Sequence, residues 1–379
     1  MRGLVSLACV LTALSCAVAT AQSITLPPSG DNQRSAVTQQ IGPVRVSISY
    51  SSPDVHGPNG EDRRGQVFGG LVPYGLHDLG TPDGPKPWRA GANENTVVEV
   101  SHAVTVEGQP LPAGRYGLHM IAGATEWTVI FSKNSTSWGS FSYDDKEDQL
   151  RVRVTPQPAP YREWLSYEFL DRKPDRATVA LEWDELRVPF TIVVPNVASH
   201  YLTTIRNELR NAPGFTWQGW QAAARFCLQQ NVNLEEALTW ADNAIRLPGV
   251  GQANFTTYET RAAVLSRLSR EPEAATVMDE ALRLPNALPI EIHQYGRQLQ
   301  ARGRHAEALT VYKKNAERFG DAWPTHVGLA RGYSAMGDYP RALEHAQKAL
   351  VQAPDALNKR SLEHAVARLT QGKDMNTTG

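Results

Sequence analysis

Cysteine is scarce in this 379-residue chain, which contains only three. Cys9 and Cys16 lie in an apolar N-terminal stretch, so a chain that loses this stretch keeps Cys227 alone. One cysteine cannot form an internal disulfide, and a fold in an oxidising compartment would then be stabilised by burial alone. Cys227 follows the mostly apolar residues 222–226 at helical spacing, which predicts a buried small side chain and not a nucleophile.

A surplus of either charge is also missing, since 38 Lys and Arg stand against 39 Asp and Glu. Binding to nucleic acid requires a basic surface that replaces condensed counterions, and no Lys/Arg cluster provides one. Beyond the N terminus, no apolar run approaches the ~20 residues of a membrane-spanning helix. We therefore expect no nucleic-acid partner and no membrane span.

The sequence lacks the motifs of common catalytic and cofactor sites, including Gly-x-Ser-x-Gly, the phosphate-binding loop and the dinucleotide fingerprint. No two histidines form a His-x-His or His-Glu-x-x-His pair, which argues against a metal site. The acidic run 144–148 has neither the glycine nor the twelve-residue spacing of a calcium loop. We therefore predict no metal and no cofactor. The histidines considered as ligands are His56, His77, His102 and His119.

The N terminus has the pattern of a secretory signal. Arg2 precedes an apolar run over residues 4–18, which is too short to span a bilayer, and Ala19-Thr20-Ala21 places small residues where a signal peptidase reads them. Cleavage after Ala21 predicts a periplasmic or secreted protein. A lipoprotein signal ending at Cys16 is less favoured, because Ala13-Leu14-Ser15 lacks the usual aliphatic residue three positions before the cysteine.

The next region alternates with a period of two. Residues 22–36 are rich in Pro, Gly, Ser and Gln and predict a flexible tether. From residue 37 to 195, apolar residues such as Val44, Val46 and Ile48 alternate with polar ones, as in half-buried strands. Short strands without intervening helices predict an antiparallel β-sandwich or jelly roll. The further strands are predicted at 96–106, 115–121, 126–132, 149–154, 163–170, 177–183 and 186–194.

Helical periodicity of 3.6 residues replaces this alternation after Pro195, so the chain is predicted to have a β domain followed by an α-helical one. A connecting helix is predicted over 196–216. A repeat follows over 217–370, because Gly303 and Gly337, like Ala308 and Ala342, are 34 residues apart. The domain boundary is predicted between Val194 and Ala198, with a signal at 1–21 and a disordered tail at 371–379.

Both domains resemble known families. The motifs at 66–75, 88–94, 111–118 and 126–130 resemble domain-of-unknown-function family 2911 over about residues 35–194. This resemblance implies an exported bacterial domain, sometimes fused to helical repeats, without an activity to transfer. The last helical copy resembles the tetratricopeptide repeat, which implies an array of α-helical hairpins that offers a surface to peptides or proteins. Its matching residues are Leu329, Ala330, Tyr333, Gly337, Ala342, Ala346, Ala349 and Pro354.

One candidate ligand-binding cluster consists of Trp88, Arg89, Asn93 and Glu94, on a loop that contains glycine. A guanidinium, an amide and a carboxylate beside an indole are groups that can hold a sugar or a carboxylate. In a purely structural role, Arg89 and Glu94 would form a local salt bridge and Asn93 would cap a turn.

A second cluster contains Trp138 and Tyr143, followed by Asp144. Aromatic rings separated by small polar residues can stack on a sugar ring, although such rings also close the end of a sandwich core. We predict that the Arg89 guanidinium lies within ~10 Å of the Trp138 or Tyr143 ring on one concave surface.

Two functions fit these patterns. The favoured one is an exported, non-catalytic binding or scaffold protein, in which the β domain binds a glycan or peptide and the helical repeats bind a protein partner. The alternative is a hydrolase of envelope carbohydrate with Glu94 or Asp144 as its acid. That chemistry needs two carboxylates ~5–9.5 Å apart, one with a raised pKa, and nothing in the sequence sets such a distance.

Overall fold

A computed structural model describes residues 32–377 of the chain. The predicted signal and residues 22–31 of the predicted tether lie outside the described residues. The chain divides into two compact units between Val197 and Ala198. The first strand begins at Gln33, so order starts earlier than the tether prediction placed it, because residues 33–36 pair with residues 49–52.

The first unit, called the β unit, consists of two antiparallel sheets. Their strand orders are β1-β2-β3-β6-β7-β8 and β5-β4-β10-β9. Both sheets contribute to one buried core, so the predicted sandwich is confirmed. Within the described residues the strands are β1 (Gln33–Ile41), β2 (Val44–Ser52), β3 (Thr96–Val100), β4 (Val104–Val106), β5 (Gln109–Leu111), β6 (Gly114–Ile121), β7 (Trp127–Ser132), β8 (Asp148–Val154), β9 (Gln157–Lys173) and β10 (Arg176–Val193).

Alternation along β2 determines which side chains form the core. Val44, Val46 and Ile48 are fully buried, whereas Arg45 is exposed, as expected when successive side chains point to opposite faces of a sheet. The same alternation predicted most of the other strands, but it did not predict β1 or β5, and it predicted only the central part of β9.

One predicted strand is divided in the structure, and two predicted strands are joined into one. The run predicted as one strand at 96–106 is divided, because β3 and β4 lie in different sheets. The break predicted between 183 and 186 is a β-bulge inside β10, where Asp184 has φ 55° and the register with β9 shifts. Aspartate tolerates this left-handed conformation better than most residues, so the strand bends and continues.

The second unit, called the helical unit, contains ten α-helices within the described residues. Most pair into antiparallel hairpins, and the predicted helical array is confirmed. The helices are α1 (Val197–Glu208), α2 (Trp217–Gln230), α3 (Leu234–Arg246), α4 (Phe255–Arg267), α5 (Glu271–Arg283), α6 (Pro289–Ala301), α7 (His305–Phe319), α8 (Trp323–Ala335), α9 (Tyr339–Val351) and α10 (Ala356–Thr370).

The 34-residue spacing corresponds to equivalent positions in successive hairpins. Gly303 and Gly337 end α6 and α8 with φ 75° and 79°, a conformation that favours glycine after a helix. Ala308 and Ala342 are both fully buried where two helices cross. Cys227 is also fully buried on α2, and burial raises the pKa of its thiol to about 11. Burial of a small apolar group was the predicted role of this cysteine.

The C-terminal residues are more ordered than predicted. Residues 371–377 were expected to be disordered, but the described tail folds back on α8. Ser334 donates a hydrogen bond of 2.6 Å to the Asp374 carboxylate, and Asn376 donates one of 3.1 Å to the Arg331 carbonyl. A polar segment is ordered here because buried groups on α8 require its acceptors and donors.

Candidate functional site

The predicted site residues lie mainly on the outer face of the six-stranded sheet of the β unit. Along β6, Leu118 and Met120 point into the core, and His119 therefore points to the opposite face. Residues 133–147, here called the cover segment, cross this face. A Cβ on Gly117 would stand 2.3 Å from the Asn134 carbonyl oxygen, so glycine at 117 lets the cover segment contact the sheet.

His119 is enclosed between β6 and the cover segment. Its side chain is 1% exposed, its Nδ1 lies 2.9 Å from Ser140 Oγ, and its ring centroid is 5.0 Å from that of Tyr143. Burial, together with the positive charge of Arg89, lowers the pKa of His119 to about 4. His119 is therefore a neutral imidazole at pH 7.

Tyr143 connects the cover segment to β8. Its hydroxyl donates a 2.8 Å hydrogen bond to Asp148, and Arg151 donates one of 2.9 Å to the same hydroxyl. Burial raises the pKa of Tyr143, and the Asp148 carboxylate raises it further. Burial also raises the pKa of Asp148. Tyr143 is 8% exposed, so the network anchors the cover segment and leaves little of the ring for stacking.

The two candidate clusters meet where Arg89 contacts Gly139. A Cβ on Gly139 would stand 2.4 Å from Arg89 Nη1, and Gly139 has φ 58°. Glycine is therefore required at position 139 both by the contact with Arg89 and by the left-handed backbone conformation. The same Nη1 donates to the Asn93 carbonyl at 3.1 Å. Burial lowers the pKa of Arg89. The pKa of His77 is lowered mainly by burial and further by the positive charge of Arg89.

The other residues of the first cluster have structural roles in this arrangement. Trp88 is 7% exposed and stacks on Trp183 in the core at a centroid distance of 6.2 Å, so its indole is not available to a ligand. Glu94 pairs with Arg34 at 3.2 Å, and the expected local salt bridge with Arg89 is replaced by the Arg89–Asn93 carbonyl bond.

Asn93 and Asp144 are used in local backbone geometry. Asn93 has φ 55°, and its side-chain oxygen accepts a 3.1 Å hydrogen bond from Asn32. Asp144 caps the short 3-10 turn that begins at Asp145 by accepting from the Lys146 backbone N–H at 3.0 Å. Both residues therefore support loops at this edge of the sheet.

Exposed apolar side chains occur on the cover segment and on residues 74–76. Trp138 is 57% and Phe141 44% exposed, and on the hairpin that precedes Trp88, Tyr74 is 52% and Leu76 48% exposed. Leu76 lines a crevice of about 630 Å³ together with Tyr143. Lys86, which is 4% exposed, also lines it, donates to the Tyr143 carbonyl at 2.9 Å and pairs with Asp83.

The helical unit has a cavity of its own. It lies between the α4–α5 and α6–α7 hairpins and measures about 220 Å³. Elsewhere from α2 onwards consecutive helices pack closely, whereas α5 and α6 pack less tightly and leave this gap. Its apolar lining includes Ala262, Ala274, Met278, Tyr295, Leu299 and Val311.

Most charged side chains on the rim of this cavity pair with other side chains of the rim. Lys314 donates to Asp279 at 2.7 Å, Arg304 pairs with Glu307 at 2.6 Å, and Gln298 donates to Glu259 at 2.6 Å. The opening therefore presents apolar surface enclosed mainly by paired polar groups, with Arg302 as a further cation of the lining.

Residues 32–192 match the model of the family described as protein of unknown function, DUF2911. The resemblance that the motifs between residues 66 and 130 indicated is therefore confirmed. The DUF2911 match ends within β10, so it covers the β unit, here also called the DUF2911 domain. Comparison with curated protein sequences gives no match.

Two solved structures are similar to parts of the chain. The tetratricopeptide protein YrrB, described as having an unusual peptide-binding site, is 19% identical with a TM-score of 0.29; the match covers 44% of this chain and 84% of YrrB. TTC0263, a thermophilic tetratricopeptide protein from Thermus thermophilus, is 20% identical with a TM-score of 0.29. That match covers 46% of this chain and 90% of TTC0263.

Sequence reasoning did not include His77, Lys86 or His119 in the candidate site: the two histidines were considered only as metal ligands, and Lys86 was not considered. His77 and Lys86 lie on one hairpin, where their backbones pair with each other at 2.7 Å. The position of His119, one residue from the buried Leu118, was a usable signal, because period-two alternation already placed it on the outer face.

The described residues contain no group of three or more His, Cys, Asp or Glu side chains arranged to hold a metal ion. Over the same part of the chain, no helix has the length and apolar character needed to cross a membrane.

Proposed function

We propose that this chain is an exported, non-catalytic binding protein whose helical unit holds a segment of a partner protein and whose DUF2911 domain binds a glycan. The observation that carries the first part is the cavity between the α4–α5 and α6–α7 hairpins. At about 220 Å³ it is smaller than the ~300–1,000 Å³ of small-molecule sites, and it suits one apolar side chain of a bound segment.

The charged rim supports the same function. Because Lys314 and Arg304 already pair with acidic side chains, a bound segment gains little from these two charges and most from burying an apolar anchor. Arrays of helical hairpins hold peptides on such extended surfaces.

A test is to fill the cavity. Ala275 lines it from α5 and is exposed, so Ala275→Phe blocks the opening without changing the core. Ala306 on α7 is also exposed but does not line the cavity, which makes Ala306→Phe the matched control. The full chain is screened against a peptide array.

Peptides selected by the wild-type chain should contain an apolar anchor. They should lose binding to Ala275→Phe and keep it with Ala306→Phe. Selection of no peptide, or equal binding to both variants, would contradict the role of the helical unit.

Export is proposed from the sequence alone. The support is the Arg2 charge, the apolar run 4–18 and the small residues Ala19 and Ala21. N-terminal sequencing of the protein from its native host should begin at Gln22, and the protein should fractionate outside the cytoplasm. An intact N terminus in the cytoplasm would contradict export.

The hydrolase alternative receives no support from its two candidate acids. The Glu94 side chain is 42% exposed and paired with Arg34, and the Asp144 carboxylate caps a turn. A glycosidase acid needs a desolvated carboxyl group that faces the substrate. We therefore propose a binding surface, and not a hydrolase site, at the DUF2911 domain.

A further inference from the structure

We propose that the DUF2911 domain binds an acidic saccharide at Arg89 and Trp138, with the sugar carboxylate on the guanidinium and a sugar ring on the indole. This inference rests on the proposed glycan-binding function and specifies the ligand class and the two groups that recognise it.

The charges around Arg89 favour an anionic ligand. Its Nη1 donates to the Asn93 carbonyl and lies against Gly139, and no salt bridge joins the guanidinium to a carboxylate of the described residues. The positive charge of Arg89 lowers the pKa of His77 and His119 beyond the effect of burial, which fits a cation that no nearby anion neutralises. Glu94, the carboxylate nearest in sequence, pairs with Arg34 instead. A partly buried cation without a counter-charge is costly, and a bound carboxylate would offset that cost through bidentate hydrogen bonds.

The neighbouring cations are already occupied, which is why Arg89 is the group assigned to the carboxylate. Lys86 pairs with Asp83, and Arg151 pairs with Asp148. Both line the crevice on the Tyr143 side of the cover segment, whereas Arg89 lies on its Gly139 side.

A second polar group near Arg89 also lacks a partner. His77 Nε2 is buried and forms no hydrogen bond within the described residues. Burial and Arg89 both lower the pKa of His77, so the ring is neutral at pH 7 and has one N–H donor and one acceptor.

The aromatic side of the site is exposed. Trp138 directly precedes Gly139, the residue that contacts Arg89, and 57% of its surface is accessible. Phe141, on the same cover segment, adds a second exposed ring, at 44%. Apolar C–H faces of sugars pack on such rings, while the polar groups nearby fix orientation.

The experiment uses the full chain and calorimetric titration. The probes are the disaccharide of N-acetylglucosamine and N-acetylmuramic acid, the same disaccharide with its carboxylate reduced to an alcohol, and an oligogalacturonate. The two acidic probes distinguish a muramic acid from a uronic acid as the source of the carboxylate. The wild-type chain should bind at least one acidic probe about tenfold or more tightly than the reduced disaccharide, as expected for charge-assisted hydrogen bonds.

Two variants assign this preference to residues. Arg89→Lys keeps the charge but loses the planar fork, and it should clearly reduce the ratio between the affinities for acidic and reduced probes. Trp138→Ala should weaken acidic and reduced probes by the same factor. The controls Arg153→Lys and Trp164→Ala change an exposed arginine and a partly exposed tryptophan elsewhere in the domain, and should leave binding unchanged.

Equal affinity of the wild-type chain for acidic and reduced probes would overturn the acidic preference while glycan binding remained. Absence of binding to every saccharide would overturn both. Full preference in a folded Arg89→Lys variant would overturn the assignment to Arg89. Should Arg89→Lys fail to fold, the wild-type comparison and the surface variant Trp138→Ala still decide the proposal.

Discussion

The ring of Tyr312 on α7 lies against the backbone of Gly296 on α6, and a Cβ at position 296 would stand 2.3 Å from Tyr312 Cε1. Gly328 and Gly332 on α8 enclose the same ring, with Cβ positions 2.5 Å and 2.9 Å from its atoms. Three glycines thus make room for one fully buried tyrosine between neighbouring hairpins.

Gly296→Ala should therefore destabilise the helical unit. Overpacking costs roughly 1–3 kcal/mol, which exceeds the ~1 kcal/mol that alanine gains over glycine in a helix. Thermal unfolding followed by circular dichroism measures the effect. The double variant Gly296→Ala/Tyr312→Leu should lose less than the sum of the two single changes, and strict additivity would show that the contact is not the cause.

Ala342→Leu should lower the unfolding midpoint of the helical unit. Ala342 is fully buried against Ala330 and Ala346, where a larger side chain forces strain of roughly 1–3 kcal/mol. The exposed Ala306 provides the control Ala306→Leu, which should have little effect. An unchanged midpoint for Ala342→Leu would mean that the assigned repeat register is wrong.

The β unit should lose stability as the pH falls from about 6.5 towards 4, in part because of His119. Burial lowers the pKa of this histidine to about 4, so the unfolded chain binds the proton more readily than the folded one. The stabilisation is complete above the unfolded pKa and decreases as the pH approaches 4, by up to about 3 kcal/mol.

Thermal midpoints measured from pH 7 to pH 4 check this expectation. His119→Gln should flatten the dependence, whereas His102→Gln, an exposed control, should not. Asp148 acts in the opposite direction, since burial raises its pKa and its contribution is therefore lost as the pH rises. A profile that His119→Gln leaves unchanged would assign the pH dependence to other groups.

Asp374→Ala should loosen the last hairpin. The Asp374 carboxylate accepts from Ser334, which is 2% exposed, and an unsatisfied buried hydroxyl costs about 1–3 kcal/mol. Hydrogen exchange of α8 amides should accelerate, while Asp374→Asn, which keeps an acceptor, should have a smaller effect. Unchanged exchange would show that the tail does not stabilise α8.

The two compact units should fold separately. Residues 32–197 and 198–377, expressed as individual chains, should each unfold in one cooperative transition, because each has its own buried core. Limited proteolysis of the full chain should yield fragments with an end between Val194 and Ala198. Stable fragments cut near Pro156 would contradict this boundary.

Local periodicity by itself determined the class of most elements. The alternation of Val44, Val46 and Ile48 is a property of neighbouring residues, and the 34-residue spacing of Gly303 and Gly337 marks the ends of two equivalent helices, α6 and α8. Both patterns are readable because strand and helix geometry project side chains at set intervals along the chain. The motifs between residues 66 and 130 likewise identified the DUF2911 domain without coordinates.

Tertiary structure decided which distant side chains meet. Arg89 and Glu94 are close in sequence, yet Glu94 pairs with Arg34, and Arg89 contacts Gly139, fifty positions away. Trp88 is adjacent to Arg89 but enters the core, because successive residues of an extended segment face opposite sides of the sheet. Such contacts depend on strand register and on where a covering loop crosses a sheet, and neither is encoded in local periodicity.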